Sequence, residues 1–465
     1  MNAAVVEPVS EDLIRRFDVP GPRYTSYPTA DRFVEAFSVE DYSQALKLRH
    51  IGAAAMTLPL SLYVHIPFCE SLCYYCACNK IITRHHDRAT PYLRYLSREV
   101  DLHTEQLGIG QIVSQLHLGG GTPTFLSDEE LRELMGTLRR NFTLAPGGEY
   151  CIEVDPRTIN TSRLDTLAEL GFNRLSFGIQ DFDPAVQKAV HRVQAAEQVF
   201  FLVAAARQRG FNSINIDLMY GLPQQSPASF DRTVAQMIEL RPERIALYAY
   251  AHLPQRFKPQ RRIITADLPD ESAKLVMRSS SVSALLEAGY VHIGMGHFAL
   301  PIDALAVAKR QGRLHRNFQG YSTQSDCDLI GLGISSVSRI GATYRQNAKT
   351  LEEYYDYIDQ GRFPVVGGLA LSRDDLVRRA VIMSLMCQGE ILYESIELAH
   401  LIEFRTYFAS EIEAMHTLAE DGLVTLDSSS IQLTSMGLFF VRAVAMVFDR
   451  YLQADRTRAR FSRII

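Results

Sequence analysis

Six short apolar segments alternate with longer amphipathic ones between residues 62 and 253, and this alternation limits the folds open to the chain. The apolar segments predict strands at residues 62–68, 112–120, 149–156, 174–180, 214–223 and 244–253. Helical periodicity is found at residues 90–107, 127–142, 183–210 and 226–240. Strands joined by crossover helices pair in parallel. We therefore expect an α/β fold in which six units form a partial barrel or a doubly wound sheet.

The residues most suited to chemistry follow these strands directly. A cysteine-rich stretch follows the first strand, "GGGTP" (119–123) follows the second, "EVDP" closes the third and Gln180 ends the fourth. In either architecture the loops at the carboxyl ends of parallel strands form the binding site. We expect these segments to meet at one edge of the sheet.

Beyond about residue 372 the pattern changes. Residues 372–391 predict a helix, and residues 421–452 predict a β-hairpin followed by a helix. We expect a small, mainly helical C-terminal domain with a wing-like hairpin, whose apolar "MGLFFVRAVAMVF" belongs to the core. The predicted parts of the chain are an N-terminal arm (1–57), a barrel (58–300), a barrel extension (301–372) and the C-terminal domain (373–465).

Charge and hydropathy argue against several classes of partner. The net charge of the 465 residues is −5 without any block of like charges, and the predicted wing has no basic cluster, so we expect no nucleic-acid partner. The N-terminus lacks the order of a signal peptide, and no apolar run reaches the roughly 18 residues of a membrane helix. We expect a cytoplasmic monomer. In that reducing compartment, clustered cysteines bind metal or act in catalysis more often than they form disulfides.

Four of the seven cysteines lie in "CESLCYYCAC", as Cys69, Cys73, Cys76 and Cys78. A structural zinc ion usually takes two separated cysteine pairs, and the chain has no second pair. A redox role for Cys73 and Cys76 would leave Cys69 unexplained. The spacing of Cys69, Cys73 and Cys76 suits an iron–sulfur cluster, in which one loop holds three irons and leaves the fourth open. We favour the cluster, with zinc and redox chemistry as the alternatives.

With this loop after the first strand and "GGGTP" after the second, the sequence resembles the radical S-adenosylmethionine (SAM) superfamily. Further stretches resemble the oxygen-independent coproporphyrinogen III oxidase family. They are "GPRYTSYPTA", "YVHIPFC", "CACNKIITR", "LHLGGGTPTFL", "IEVDPR", "GFNRLSFGIQDF", "NIDLMYGLP", "YAHLP", "HRNFQGYSTQ" and the terminal "FSRII". The alternative is a related haem chaperone, a haem-binding protein without this activity. Members of that group generally lack the "GPRYTSYP" arm and the fourth cysteine, Cys78.

The resemblance implies a partial (β/α)6 radical SAM barrel and a [4Fe-4S] cluster held by Cys69, Cys73 and Cys76. It also implies two SAM molecules, an external electron donor and a porphyrinogen substrate. The implied reaction turns two propionates of coproporphyrinogen III into vinyl groups through a 5′-deoxyadenosyl radical, giving protoporphyrinogen IX. The cofactor-binding residues implied by motif are Tyr63, Tyr75, Ala77, Gly120, Gly121, Thr122, Glu153, Gln180, Arg192, Asp217, Ala251 and Val337.

The chemistry of these residue types fits the implied roles. Glu153 and Asp217 can accept hydrogen bonds from ribose hydroxyls or an ammonium, and Arg192 can pair with a carboxylate. The structural alternative for each acid is to cap a following helix. A substrate with four carboxylates should meet cations and phenols, for which the candidates are Arg23, Tyr24, Tyr27 and Arg316.

Tyr63 and His65 are further candidates for a catalytic role, since both belong to the first strand next to the cysteine loop. His65 could donate a hydrogen bond to a cluster sulfur or to SAM, or it could be a satisfied core histidine. Cys78 is not expected to bind the cluster.

Two positions depart from the family pattern. Ala77 stands where the family has Gly, a small change that still allows a close approach. Gly296 in "IGMGHFA" stands where the family has Asp, and the missing carboxylate could remove a substrate contact. The sequence therefore defines the cofactor more firmly than the substrate.

Overall fold

The computed structural model describes residues 11–51, 58–324, 327–454, 461, 463 and 464. Residues 1–10 and 52–57 of the predicted arm, and Ser462 and Ile465 of the terminal motif, lie outside the described residues. The strands are β1 Leu60–Ile66, β2 Phe68–Cys69, β3 Ile81–Ile82, β4 Gln111–Gly120, β5 Phe142–Val154, β6 Arg174–Gln180, β7 Ser213–Tyr220, β8 Arg244–Ala249, β9 Val291–Gly294, β10 His297–Ala299, β11 His315–Asn317, β12 Gly320–Ser322, β13 Asp328–Leu332, β14 Val337–Ile340, β15 Thr343–Asn347, β16 Val365–Ala370, β17 Glu390–Leu392, β18 Val424–Leu426 and β19 Ser430–Leu433.

The α-helices lie mainly between these strands and at the two ends of the chain. They are α1 Glu11–Phe17, α2 Val39–Ile51, α3 Ala89–Leu107, α4 Asp128–Asn141, α5 Thr161–Glu169, α6 Pro184–Ala189, α7 Ala196–Gln208, α8 Pro227–Leu240, α9 Glu271–Glu287, α10 Ala304–Arg310, α11 Leu351–Asp359, α12 Arg373–Gln388, α13 Tyr393–His400, α14 Phe404–Tyr407, α15 Ala409–Glu420, α16 Ser435–Phe439, α17 Val441–Met446 and α18 Arg450–Ala454.

A twelve-stranded sheet organises the first part of the chain, in the order β16-β15-β14-β13-β1-β4-β5-β6-β7-β8-β10-β9. The six predicted strands correspond to β1, β4, β5, β6, β7 and β8, and they pair in parallel in that order. The predicted α/β fold with six parallel strands is therefore confirmed. Parallel pairing places the carboxyl ends of all six strands along one edge.

A fully buried face explains why the six strands could be predicted. Leu62, Val64 and Ile66 of β1 are fully buried, as are Ile214, Ile216 and Leu218 of β7. These residues alternate along each strand and therefore lie on one face of it. The intervening positions are more polar and include His65 in β1 and Asp217 in β7. The crossover helices begin at clear caps, such as the capping box of Ser127 and Glu130 before α4.

The sheet is larger than the sequence analysis predicted. β13 pairs in parallel with β1 on the side away from β4, and β14, β15 and β16 continue the sheet antiparallel. These strands are four to six residues long and include polar segments such as "TYRQN". Strands this short carry little periodicity, which is why residues 301–372 gave no strand prediction.

The prediction of one long helix over residues 183–210 is wrong. The segment forms α6 and α7, separated by a turn in which His191 has a φ of 56°. In this turn the Nε and Nη2 of Arg192 donate to the carbonyl oxygen of Gly178, and the Nε2 of Gln194 donates to that of Ile179. These bonds tie the turn to the end of β6, so tertiary contacts override the helical pattern.

The C-terminal domain has its own buried cluster, formed by α12 to α17 and a small sheet in the order β17-β19-β18. The predicted hairpin is β18 and β19, and the prediction that residues 436–448 are core is confirmed, since Phe440, Val444 and Phe448 are fully buried. The helix expected after the hairpin is divided into α16 and α17 at Phe440. Tyr24 and Tyr27 of the arm belong to the same cluster. Within the described part of the chain, no helix has the length and apolar character needed to cross a membrane.

Candidate active site

The cysteine loop is closed by a short parallel pairing of β2 with β3, so that Cys73 and Cys76 lie between the two strands. Cys69 and Cys73 are buried and Cys76 is partly buried. The "GGGTP" segment packs directly on this loop. Thr122 donates its backbone N–H to the carbonyl oxygen of Phe68 (2.8 Å) and its hydroxyl to the Cys69 Sγ (3.3 Å). The two segments singled out in the sequence thus form one site.

Two arginines lie beside the Cys73 sulfur. The Nη1 of Arg192 is 3.4 Å from the Cys73 Sγ, and the Nη2 of Arg157 is 3.7 Å from it. Asp155, at the end of β5, holds both guanidinium groups through salt bridges of 3.1 Å and 2.6 Å. Positive charge near a thiol favours the thiolate, which is the form that binds metal.

The cysteines differ in acidity. A hydrogen bond from the Cys78 thiol, together with Lys80, lowers the pKa of Cys76, and the same bond raises the pKa of Cys78. Burial raises the pKa of Cys69 to about 11. Metal binding to Cys69 would therefore release a proton, as metal binding to a thiol commonly does.

The three glycines of "GGGTP" are required by close contacts. A Cβ at Gly119 would lie 2.7 Å from Glu153 Oε1, and one at Gly121 would lie 2.7 Å from the backbone of Pro67. Gly120 has a φ of 114°, and a Cβ there would lie 2.6 Å from the ring of His65. Only glycine lets this backbone lie against the cysteine loop.

Glu153 is the acid at the centre of the site. Its carboxylate accepts hydrogen bonds from His117 Nε2 (3.1 Å) and from the backbone N–H of Gly120 (3.1 Å). Burial favours the neutral acid, but these donors outweigh it and lower the pKa of Glu153. Burial alone would lower the pKa of His117, yet Cys151 and Glu153 raise it to about 10. Glu153 is therefore ionised at neutral pH, with a protonated His117 as partner.

Asp217, at the same edge of the sheet, behaves differently. Burial raises its pKa to about 7, although the Nδ2 of Asn215 donates to its Oδ1 at 2.9 Å. The nearby negative charge of Glu153 adds to the increase. The site thus holds one carboxylate that is charged at neutral pH and one that is poised near half ionisation.

His65 has both ring nitrogens occupied by its own chain. Nε2 lies 2.9 Å from the carbonyl oxygen of Asn79, and Nδ1 lies 3.3 Å from the hydroxyl of Tyr63. A carbonyl only accepts, so Nε2 carries the proton and Nδ1 accepts from Tyr63. Burial lowers the pKa of His65, which keeps this neutral form. The arrangement favours a histidine that orients Tyr63 over one that donates to a ligand.

Two glutamines complete the candidate site. Gln180 ends β6 with a φ of 73°, and its buried Oε1 has no hydrogen-bond partner. Gln260 is buried and donates to the carbonyl oxygens of Tyr75 (3.1 Å) and Ala251 (3.2 Å), two positions implied in cofactor binding. Sequence analysis missed Gln260, as it missed His117 and Asp155 as individual residues. His117 and Asp155 lay in the quoted stretches "LHLGGGTPTFL" and "IEVDPR", whereas Gln260 lay in none of them.

The residues present fit a [4Fe-4S] cluster and SAM. Three cysteines share one loop, cations stand beside one sulfur, and an unfilled buried acceptor on Gln180 could receive a hydroxyl or amino donor. Among the described residues no three His, Cys, Asp or Glu side chains converge on a single ion. A cluster does not require such convergence, because each thiolate holds a different iron.

A cavity of about 960 Å³ adjoins this site at the carboxyl ends of β7 and β8. Arg23 and Arg316 line it, as do Ala251 and Gly296. Tyr24 instead lies in the C-terminal core, 1% exposed, where its hydroxyl donates to Asp449 Oδ2 (3.0 Å).

Three other positions implied by the resemblance lie elsewhere. Tyr27 is also in the C-terminal core, and its hydroxyl accepts from the backbone N–H of Arg450 (3.3 Å). Ala77 is exposed on the cysteine loop, and Val337 begins β14.

Position 296 has a backbone that suits glycine alone. Gly296 has a φ of 81°, and a Cβ there would overlap the carbonyl oxygen of Leu247. The carbonyl oxygen of Gly296 in turn accepts from the Leu247 N–H at 2.8 Å. Where the family has Asp, this chain therefore has a glycine turn that is hydrogen-bonded directly to β8.

The radical SAM superfamily profile matches residues 63–237, and the profile of the HemN C-terminal domain matches residues 371–440. The chain is 51% identical to the oxygen-independent coproporphyrinogen III oxidase of Pseudomonas aeruginosa over 98% of both chains. It is 48% identical to the oxidase of the same name from Escherichia coli, over 97% of this chain and 98% of that one. The solved structure of the Escherichia coli enzyme, described as coproporphyrinogen III oxidase (HemN) and a radical SAM enzyme, superposes with a TM-score of 0.90. That superposition covers 95% of this chain and 99% of the other, at 47% identity.

Proposed function

The chain belongs to the oxygen-independent coproporphyrinogen III oxidase family of radical SAM enzymes, and from this membership we propose how its residues carry out the reaction. Its activity is the oxidative decarboxylation of two propionates of coproporphyrinogen III to vinyl groups, giving protoporphyrinogen IX. One observation supports this assignment beyond similarity. The cysteine loop and a cation-lined cavity of about 960 Å³ lie at the carboxyl ends of the same parallel sheet.

Cys69, Cys73 and Cys76 would hold the [4Fe-4S] cluster. A cluster bound there and reduced by an external electron donor would supply the one-electron chemistry of SAM cleavage, by which hydrogen is removed from a propionate side chain. Arg192 and Arg157 compensate the negative charge of the Cys73 thiolate, and Asp155 fixes their orientation. Cys78 modulates Cys76 through a hydrogen bond.

The groups at the strand ends would bind SAM, and we propose that two molecules bind. Glu153, Gln180 and Asp217 offer acceptors for hydroxyl and amino groups. Gly120 and Gly121 allow the backbone to approach the ligand closely, and Thr122 joins it to the cysteine loop. Tyr63, positioned by His65 and stacked on His117 at 5.9 Å, supplies an apolar wall.

The substrate would lie in the adjoining cavity, where Arg23 and Arg316 face its carboxylates. The Nε of Arg316, a residue of the "HRNFQGYST" stretch, donates to the carbonyl oxygen of Arg23 (3.2 Å). This bond connects Arg316 to the N-terminal arm. Arg316 is buried, and its Nη1 has no hydrogen-bond partner. A buried cation with an unused donor is suited to a substrate carboxylate.

We keep the four-part division of the chain as part of this proposal. The barrel (58–300) would hold the cofactors, the extension (301–372) would carry Arg316, and the arm (1–57) and C-terminal domain (373–465) would close the substrate cavity. We further propose that the chain acts as a monomer.

An anaerobic assay tests the proposed function. The reconstituted protein is incubated with coproporphyrinogen III, SAM and a one-electron reductant, and 5′-deoxyadenosine and vinyl product are quantified. Both should form, and Cys73→Ser should abolish both. A haem-binding protein of the related chaperone type would form neither product from added coproporphyrinogen, and that result would refute the proposal.

A further inference from the structure

The cavity beside the cofactor site has an unusual distribution of charge. Its lining includes six cations and, among the described residues, no aspartate or glutamate. The cations are Arg23, Lys274, Arg278, Arg316, Arg442 and Arg463. Arg463 is compensated from outside the lining by Asp18, at 2.7 Å. Like charges gathered in a partly dehydrated space repel one another unless an anion enters.

Four of the cations fall into an inner and an outer group. Arg23 and Arg316 form the inner group, in which the Arg23 guanidinium lies 6.0 Å from the centre of the Tyr248 ring and its carbonyl oxygen accepts from Arg316. Tyr248 of β8 pairs with Met219 of β7, two residues beyond Asp217, so this end of the cavity borders the carboxylates proposed to bind SAM. The inner group is thus next to the reacting centre.

Arg278 of α9 and Arg442 of α17 form the outer group, where the barrel meets the C-terminal domain. The Nη2 of Arg278 donates to the carbonyl oxygen of Phe439 (2.9 Å), and the guanidinium lies 3.4 Å above the Phe439 ring. These two contacts hold the Arg278 guanidinium in one orientation. The Nη1 of the same guanidinium is buried and has no hydrogen-bond partner.

Arg442 adds charge at this end. Its guanidinium donates to the carbonyl oxygens of Gly21 and Pro22 in the arm. Burial and repulsion from Arg23 and Arg278 lower its pKa to about 9, so it is still a cation at neutral pH. Arg442 thus brings a second guanidinium to the end of the cavity where Arg278 lies.

We propose that Arg278, reinforced by Arg442, is a second carboxylate-binding site, which holds a propionate that is not reacting while Arg23 and Arg316 face the one that is. This inference rests on the proposed function for the identity of the substrate. It makes the outer group the anchor of the porphyrin, whereas the inner group meets the carboxylates that the reaction removes. The substrate has four carboxylates and the product has two, so the product makes fewer ion pairs with the cavity and is released.

A binding comparison tests the inference. The anaerobically purified full-length protein is titrated with coproporphyrin III, which has four carboxylates, and with protoporphyrin IX, which has two, and fluorescence is followed. The wild type should prefer the tetracarboxylate. Arg278→Gln should weaken the binding of both porphyrins by about tenfold, the loss expected for one ion pair of roughly 1.4 kcal/mol, because both keep the propionates that do not react.

Two further variants separate charge from structure. Arg278→Lys keeps the charge without the fork and should lose only about threefold, which also provides the test if Arg278→Gln does not fold. Arg232→Gln is the control, since Arg232 belongs to α8, the helix packed against α9, and its side chain is 69% exposed. It should bind both porphyrins as the wild type does.

The outcomes distinguish this inference from the proposed function. Equal affinity of wild type and Arg278→Gln for coproporphyrin III, or a loss for coproporphyrin III alone, would overturn the inference while turnover could persist. Conversely, selective binding without formation of 5′-deoxyadenosine would support the carboxylate site and refute the proposed reaction. The binding titration needs no SAM, so the two failures cannot be confused.

Discussion

At the scale of single residues, the site combines carboxylates of opposite behaviour. Asp217 is kept partly protonated by burial, with a pKa of about 7. In the unfolded chain its pKa would return to roughly 3.9. Between these values the native state retains a proton that the unfolded state releases, so the free energy of unfolding falls as pH rises. Asp217 therefore destabilises the fold above neutral pH, in a position that we propose binds SAM.

Asp217→Asn should stabilise the protein and weaken SAM binding. The amide keeps an oxygen that can accept from Asn215 but never ionises. At about 1.4 kcal/mol per pKa unit, the stability gain at pH 8 should exceed that at pH 5 by about 2–3 kcal/mol. Urea unfolding at both pH values measures this.

The same variant should bind SAM at least about tenfold more weakly, by calorimetry, and lose the increase in affinity that the wild type shows between pH 6 and pH 8. A variant no more stable than the wild type at pH 8 would contradict the assignment of a raised pKa.

Cys78→Ser distinguishes the cluster ligands from their neighbour. Cys78 is exposed, and its thiol forms a hydrogen bond with Cys76 that a serine hydroxyl can replace. We expect iron and sulfide contents close to those of the wild type after anaerobic reconstitution. Cys76→Ser should lose most of both, because an alcohol is a poor ligand for iron. Loss of iron from Cys78→Ser would make Cys78 a ligand instead.

Residue types that carry chemistry were predictable where they stood in a motif and not where they stood alone. The three cysteines and Glu153 could be proposed as site residues because their spacing and strand-end positions are informative. Gln260, Arg278 and Arg442 come from separate segments that the fold brings to the site, and no local pattern marks them. The sequence allowed two interpretations of His65, and only the structure showed that both of its ring nitrogens already have hydrogen-bond partners.

At the scale of secondary structure elements, the turn after β4 is the element most tightly constrained by packing. Its glycines touch Glu153, His65 and the backbone of the cysteine loop. A side chain there would separate the two loops that must share the cofactors.

Gly121→Ala should therefore weaken SAM binding by at least about tenfold. Its Cβ would press on the backbone of Pro67 and Phe68, which cannot move aside as a side chain could. Overpacking of this kind costs about 1–3 kcal/mol of stability. Gly136→Ala is the matched control, because Gly136 lies within α4 and its Cβ would meet only the flexible Arg140 at 3.4 Å. It should stabilise by about 0.5–1 kcal/mol. SAM titration and urea unfolding of both variants provide the comparison, and equal effects would contradict the constraint.

Strands with one fully buried face were the ones that the sequence predicted well. The six central strands repeat apolar residues at alternate positions, as in β1 and β7, whereas β14 and β15 are short and partly polar, at the margin of the sheet. The long helix predicted over 183–210 failed for a different reason. Arg192 and Gln194 bond to the end of β6, and these tertiary bonds interrupt a segment whose periodicity is helical throughout.

At the scale of the whole molecule, the N-terminal arm joins the two cores. Arg442 and Asp449 of the C-terminal domain hold the arm at Gly21, Pro22 and Tyr24. Between these points Arg23 turns the other way and lines the cavity. Adjacent arm residues thus face different surroundings, Arg23 the cavity and Tyr24 the C-terminal core.

This alternation gives a matched pair of variants. Arg23→Ala removes a cation from the cavity and should raise KM for coproporphyrinogen III by about tenfold, the effect of one lost ion pair of roughly 1.4 kcal/mol, with a smaller change in kcat. Tyr24→Phe removes the hydroxyl that donates to Asp449 and should lower the free energy of unfolding by about 1–2 kcal/mol, with KM unchanged. Anaerobic steady-state kinetics and urea unfolding of both variants measure these effects.

If Arg23→Ala left both KM and kcat unaltered, the arm would have no role in substrate binding. If Tyr24→Phe raised KM as much as Arg23→Ala did, the arm would act by closing the cavity as a unit and not through the charge of Arg23.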